Sequence, residues 1–360
     1  MKAAVLREIQ KPLEIEDVEI SSPGPREVVI RTVAAGVCHS DLHFHSGAYL
    51  HPLPAVLGHE SAGIVEEVGS SVRYVQPGDH VITCLSVFCG HCKFCLGGRP
   101  SLCLKLDTRR APGEPSRLSQ KGEVMHQFLD LSSYAEQLLV HENAIVKIRN
   151  DMPLDKAALI GCGVTTGLGA VFNTAKVPAG AIVAVIGCGG VGLSAIQGAA
   201  IAGAGRIIAV DRIASKLDLA KQLGATDCVD ASAGDPVEQV RELTGGAGVE
   251  YSFEAIGAKQ PAEQAYRMLE IGGTATVIGM IPLGQKIEIH GVDLLFEKTL
   301  QGCNMGSNRF RVDMPRYIDL YLSGRLKLDE MVSRELKLED VNDAFAALEQ
   351  GEVARQVIRF

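Results

Sequence analysis

Residues 182–186, IVAVI, form an unbroken apolar run that ends in the glycine turn GCGGVG (187–192). A short apolar run bounded by turn residues reads as a strand buried on both faces. LSAIQGAAIAGA (193–204) then reads as a helix of small residues packed closely on a sheet, and RIIAVD (206–211) as a second strand ending on an acid. The alternation continues: SKLDLAKQLGA, CVDA, PVEQVRELTG, VEYSFEAIG, PAEQAYRMLEIGG, TATVIGM. Strands alternating with amphipathic helices predict an α/β, doubly wound parallel sheet of the Rossmann kind. Residues 1–160 differ. REVVIRTVAAG, AGIVEEVG and GDHVI are short strands punctuated by Gly and Pro, so this part is predicted to be mainly β. The tail after about 304 reads as helices and a closing strand, RQVIRF, that returns to the first domain. The predicted boundaries are 1–163, 164–304 and 305–360.

A length of 360 residues favours two domains, and 46% hydrophobic residues with 22% charged is a globular composition. The net charge of −8 offers no basic face to nucleic acid or to an anionic membrane. The first twenty residues alternate charged and apolar positions and lack the apolar core of a signal peptide, so a cytoplasmic protein is expected. Val177 to Gly205 carries no charge and is long enough to span a bilayer. Its Pro178 and its glycines fit a nucleotide-binding turn better.

Gly187, Gly189 and Gly192 form G-x-G-x-x-G between a strand and a helix, with the acid Asp211 about twenty residues on. Gly187 allows the tight turn, Gly189 lets a pyrophosphate approach the backbone, and Gly192 lets helix and strand pack. Asp211 would bind ribose hydroxyls and repel a 2′-phosphate, which favours NAD over NADP; Arg212 beside it softens that choice.

The ten cysteines are therefore read for a reducing compartment, as metal ligands or catalytic thiols rather than disulfides. Cys89, Cys92 and Cys95 follow C-x2-C-x2-C, with Cys103 further on. Four soft ligands so spaced suit a closed structural zinc. A four-iron cluster and disulfides are the competing readings. A second set lies in GVCHSDLH (36–43), GHESAGIVEEVG (58–69) and LIGCGVTTG (159–167). Cys38, His59 and Cys162 would make a two-cysteine, one-histidine site with an open position if the fold united them. Asp41 is placed to orient a metal-bound imidazole, and Ser40 and His43 to move a proton. Cys84, Cys188, Cys228 and Cys303 receive no role.

With these motifs in this order, the sequence resembles the zinc-dependent medium-chain alcohol dehydrogenases over essentially its full length, in the long-chain, horse-liver-like subgroup. GHESAGIVEEVGSSV matches the family's zinc signature. The resemblance implies a GroES-like catalytic domain carrying a structural-zinc lobe at 84–128, a Rossmann NAD domain, and two zincs per chain. Cys38, His59 and Cys162 would hold the catalytic zinc, with Asp41 and Glu60 behind them. Cys89, Cys92, Cys95 and Cys103 would hold the structural zinc. Ser40 would take the alcohol proton and pass it through the nicotinamide ribose to His43. NAD would meet His39, Thr166, Gly187, Gly189, Gly190, Val191, Gly192, Asp211, Arg212, Lys216, Ile256, Ile278 and Arg355, the last near the pyrophosphate. The reaction implied is hydride transfer between an alcohol and NAD, giving an aldehyde or ketone.

Two departures from the family pattern stand out. His39 occupies a position where many relatives carry a pyrophosphate-binding Arg. The branch that oxidises the glutathione adduct of formaldehyde reads its anionic substrate with acidic residues and an Arg just past the lobe; Tyr49, Asp107 and His43 here make that adduct a poor candidate. Leu85, Leu118 and Ile278 to Met280 are expected pocket walls, and Leu85 in place of an aromatic predicts tolerance of large alcohols. The segment 104–128 resembles the insertion of dimeric forms, and a homodimer joined at sheet edges around 285–303 is expected. An enzyme that never releases its NAD, a dehydrogenase of the glutathione or thiol adduct of formaldehyde, and a non-catalytic NAD or zinc sensor are the alternative functions.

Overall fold

The strand Glu27–Val37 organises the first half of the computed structural model, which describes residues 1–111, 113–351 and 354–360. Its sequence, EVVIRTVAAGV, is rich in β-branched and small residues and is buried almost end to end. It lies inside a seven-stranded sheet. On one edge it pairs antiparallel with Ser61–Val68; on the other it pairs with Gln137–His141 and then with Arg355–Arg359. The register decides what meets at its far end. Ala35 faces Ser61 and Val37 faces Gln356, so Cys38, Glu60 and Arg355 all emerge at the same end of the sheet. Gly36 sits in the middle of this convergence. A Cβ there would come within 2.7 Å of the Glu60 carboxyl and 3.0 Å of the Arg355 guanidinium, so only glycine leaves room for the pair.

These elements belong to one of two units into which the chain divides, made of Met1–Cys162, Arg309–Ser323 and Met331–Phe360. A second six-stranded sheet in this unit runs Glu14–Asp17, Lys2–Leu6, Ala55–Val56, Glu123–Gln127, Leu118–Gln120, Glu19–Ile20. The segment after the four-cysteine lobe is tied to the sheets by charge. Glu27, 5% exposed, accepts from Arg110 and from Arg117, and from the Gly24 N–H. Arg110 also reaches Ser21 and the Ser22 carbonyl, while Lys105 and Arg109 share Asp130.

The other unit comprises Gly163–Asn308 and Gly324–Glu330. Its six parallel strands lie in the order Asp227–Asp230, Arg206–Asp211, Ile182–Ile186, Val249–Glu254, Leu269–Val277, Thr299–Gly302. This is the doubly wound order with its reversal between Ile182–Ile186 and Val249–Glu254, where such sheets bind ligands. The expected boundary at 304 falls four residues short. Residues 324–330, expected with the first domain, lie with the second, because Lys327 exchanges two backbone hydrogen bonds with the Gln197 side chain. The uncharged stretch around 177–205 is strand Ile182–Ile186, turn and helix Gly190–Ala202. One helical run, Leu154–Ala175, is long and apolar enough to cross a membrane, but 83% of its apolar window is buried in the protein.

Burial pushes the Glu27 carboxyl up, yet Arg110, Gly24 and Arg117 outweigh it and bring it down to about 2. Its stabilisation is therefore fully present above the ordinary carboxylate pKa and is lost as pH falls toward 2. Replacing it strands two guanidiniums. Glu27→Gln is expected to cost about 3–5 kcal/mol in urea unfolding; an unchanged midpoint would remove the network as an anchor of the 104–117 segment.

Candidate active site

Cys38 follows the strand Glu27–Val37 and caps helix His39–His45. Its backbone N–H donates to the Asp41 side chain at 3.3 Å, which fixes the turn between strand and helix. His59 and Glu60 precede the paired strand, and the Gly36 N–H donates to the Glu60 carbonyl at 2.7 Å. Cys162 arrives on a π-helical turn, Ile160–Val164, a distortion common at functional sites. Gly161 lets this turn lie against the sheet, since a Cβ there would be 3.0 Å from the Thr83 carbonyl. The result is that ligand atoms of Cys38, His59, Glu60 and Cys162 all lie within 4.8 Å of one another, and all four residues are buried.

The donor set fits a metal. His59 is fully buried, its Nδ1–H is turned to Asp41 at 3.0 Å, and its Nε2 has no partner among the described residues. An orphaned buried nitrogen beside two thiols is the arrangement a zinc ion completes. Asp41 is itself held by the Gly58 N–H at 3.1 Å and the Tyr134 hydroxyl at 2.8 Å. Glu60 pairs with Arg355, which is 4% exposed. Burial opposes the charge on Arg355, but Glu60 and the Cys38 thiolate keep it protonated. Arg355, expected beside a pyrophosphate, thus has its guanidinium engaged with Glu60 in this structure. Ser40 Oγ lies 3.7 Å from Cys38 Sγ. His39 is exposed and its ring is 5.4 Å from that of His43. Burial, and then His39, lower the pKa of His43, which leaves a neutral imidazole able to accept a proton.

Cys89, Cys92, Cys95 and Cys103 form a second cluster, again with ligand atoms within 4.8 Å. Four sulfurs about 2.3 Å from one ion stand about 3.8 Å apart in a tetrahedron. The observed separations are 3.6 Å for Cys92–Cys95, 3.8 Å for Cys92–Cys103 and 3.5 Å for Cys103–Cys89. Backbone N–H groups of Cys89 and Lys105 point at Cys103 Sγ, both at 3.1 Å, as suits a thiolate. Backbone N–H groups of Leu104 and Cys95 bring the Cys92 thiol down to about 6. This cluster offers four thiols, whereas the first offers an imidazole, two thiols and the Glu60 carboxylate, which is paired with Arg355.

In the second unit the glycine turn has the predicted shape. Gly187 has φ +94°, and a Cβ at Gly192 would be 1.7 Å from the Gly187 carbonyl oxygen. A Cβ at Gly189 would meet nothing within 4 Å, so the turn presents open backbone there, next to Gly190 and Val191 at the helix start. Asp211 is tied to the turn: its carboxylate accepts from the Cys188 N–H at 2.7 Å and from the Arg212 and Ile213 N–H groups. Ile256 is half exposed and lies against Gly187; Ile278 is partly buried, and its N–H donates to the Glu254 carbonyl. Thr166 is buried with its hydroxyl on the Met305 sulfur. Lys216 is partly buried and Arg212 exposed.

One expectation changes, and one residue was missed. Leu118 is 1% exposed in a core with Ala3, Val5, Val18, Val56 and Met125, so it walls no pocket. Tyr134 was not singled out from the sequence, and a lone Tyr in SSYAEQ carries no signal for a bond made across the fold. Among the unassigned thiols, burial pushes Cys84 up to about 11 and raises Cys188, which makes both inert.

A zinc ion entering the cluster of Cys38, His59 and Cys162 would displace protons. Cys38 is held well below the usual thiol range, chiefly by a hydrogen bond from Cys162; that bond and burial raise Cys162. Burial opposes charge on His59, but Asp41 and Cys38 raise it well above the ordinary value. Zinc uptake should therefore release protons, and affinity should fall as pH drops. Calorimetric titration of the metal-free protein in buffers of differing ionisation enthalpy is expected to show net release; buffer-independent heats would contradict this.

Comparison with known proteins agrees with this geometry. Residues 24–150 match the alcohol dehydrogenase GroES-like domain and residues 190–323 the zinc-binding dehydrogenase domain. The chain is 41% identical to an alcohol dehydrogenase class-3 of Zea mays, over 99% of this chain and 96% of that protein. An alcohol dehydrogenase zinc-binding domain protein from Burkholderia ambifaria superposes with a TM-score of 0.94 at 38% identity, covering 100% of this chain and 98% of that one. Benzyl alcohol dehydrogenase from Acinetobacter calcoaceticus superposes at 0.93 with 35% identity, covering 100% and 99%. With both family domains matched and 41% identity over 99% of the chain, the chain belongs to the zinc-dependent medium-chain alcohol dehydrogenase family and is an oxidoreductase.

Proposed function

We propose that the protein is an NAD-dependent alcohol dehydrogenase with one catalytic and one structural zinc per chain, interconverting alcohols with aldehydes or ketones. The observation that carries this reading is the convergence of Cys38, His59 and Cys162 beside the Ser40 hydroxyl. These three residues would hold the catalytic zinc, and Cys89, Cys92, Cys95 and Cys103 the structural one. Bound zinc supplies a Lewis acid that favours the alkoxide form of an alcohol. Ser40 accepts the alcohol proton, and neutral His43 is the base that hands it to solvent. Asp41 keeps the proton of His59 on Nδ1 and so keeps Nε2 free to ligate. Arg355 balances Glu60 behind the site.

NAD would lie along Gly187 to Gly192, with Thr166, Ile256 and Ile278 beside it. The Asp211 charge at the strand end disfavours a 2′-phosphate. Leu85 in place of an aromatic ring favours bulky over small alcohols, and the likeness to a benzyl alcohol dehydrogenase supports this. A homodimer is supported by the edge strand Thr299–Gly302 and by Leu294, Leu295 and Phe296, which are 54%, 82% and 49% exposed beside it. A monomer mass in sedimentation would remove the dimer.

Initial rates with NAD or NADP, and with ethanol, 3-methylbutanol or benzyl alcohol, test the substrate reading. NAD and the bulky alcohols should give the higher kcat/KM; ethanol as the best substrate would refute the pocket argument. Ser40→Ala should lower kcat by about 100-fold or more while zinc and NAD binding persist. Full activity in that variant would overturn the proton path.

A further inference from the structure

Asp41 accepts four hydrogen bonds. Three come from the segments that carry the metal ligands: the Cys38 N–H at 3.3 Å, the Gly58 N–H at 3.1 Å and His59 Nδ1 at 3.0 Å. The fourth and shortest, 2.8 Å, comes from the Tyr134 hydroxyl, and Tyr134 lies on a segment that supplies no ligand. That segment lies along the ligand loop. The Tyr134 N–H donates to the Leu57 carbonyl at 3.0 Å, and the Ser133 N–H to the Gly58 carbonyl at 2.8 Å. Ser133 Oγ lies 2.9 Å from Ser61 Oγ on the far side of His59 and Glu60. Gly58 completes the fit. It has φ +88°, and a Cβ there would stand 2.6 Å from both the Tyr134 ring and its backbone nitrogen.

Tyr134 is wholly buried, in a core with Leu57, Phe128, Phe345 and Val341. Packing alone asks only for a ring. A phenol hydroxyl in such a place costs free energy unless it is bonded. Burial and then Asp41 raise its pKa well above the ordinary value, so it remains a donor.

Resting on the reading of Cys38, His59 and Cys162 as a zinc site, we propose that Tyr134 is a positioning residue for that site. Its hydroxyl fixes the Asp41 carboxylate, and Asp41 fixes the ring plane and tautomer of His59, with Nε2 directed at the cluster. Loss of the hydroxyl removes the shortest of the four bonds that hold Asp41 and so loosens the imidazole.

The test is zinc transfer from the holoprotein to a chromophoric chelator. In Tyr134→Phe one zinc should leave about 3–10-fold faster, at or below the range typical of groups that orient a ligand. The other zinc, held by Cys89, Cys92, Cys95 and Cys103, has no ligand among the residues that bond Asp41 and should leave at the wild-type rate. The visible spectrum of the cobalt-substituted variant should shift, because the geometry around the ion changes. Wild-type release rates and spectrum in Tyr134→Phe, with faster release only in Tyr134→Ala, would show that the ring acts by packing alone and would overturn the proposal. A wild-type protein that binds only one zinc would overturn the reading of the cluster, and the proposal with it.

Discussion

A single buried carboxylate ties the site together. Asp41 is fully buried and carries a charge that the protein interior tolerates only because donors surround it. Those donors come from the end of strand Glu27–Val37, from the loop 57–60, and from the segment that carries Tyr134. The first two are placed by the seven-stranded sheet, and the Tyr134 segment by backbone bonds to Leu57, Gly58 and Ala4. The charge therefore converts sheet register into the orientation of one imidazole. Removing any donor would leave the carboxylate short of partners and the ring of His59 less defined.

The two metal clusters show how one element can be used in opposite ways. The four-cysteine lobe draws all its candidate ligands from Cys89 to Cys103, so a local chain segment could by itself close the coordination of one ion. The other cluster draws Cys38, His59 and Cys162 from three distant places. Its fourth candidate ligand, Glu60, is paired with Arg355. A position left open at such a centre is what chemistry on a bound alcohol requires. Gly36, whose missing side chain leaves space for Glu60 and Arg355, shows that this arrangement is built into the strand sequence itself.

Much of this was legible in the chain. The alternation of apolar runs from 182 to 280 announced a parallel sheet, because strands buried on both faces leave long uncharged stretches. The glycines of GCGGVG spoke through sterics, and the structure meets them with a positive φ at Gly187 and a close contact at Gly192. The spacing of the cysteine lobe spoke through chelation. What stayed hidden depends on contacts between distant positions. Arg355 was expected beside the NAD pyrophosphate, yet the pairing of Gln356 with Val37 buries it against Glu60. Leu118 was taken for a pocket wall, yet its strand turns it into the second core. Residues 324–330 were assigned by order along the chain, whereas Gln197 claims Lys327 for the other unit.

The most direct test of the account is a native mass spectrum of the protein purified without chelators, read beside its Cys162→Ala variant. The account predicts two zincs per wild-type chain and one in the variant, the survivor being held by Cys89, Cys92, Cys95 and Cys103. No zinc in the wild type, or an equal count in both proteins, would contradict the assignment of two separate centres and the chemistry built on it.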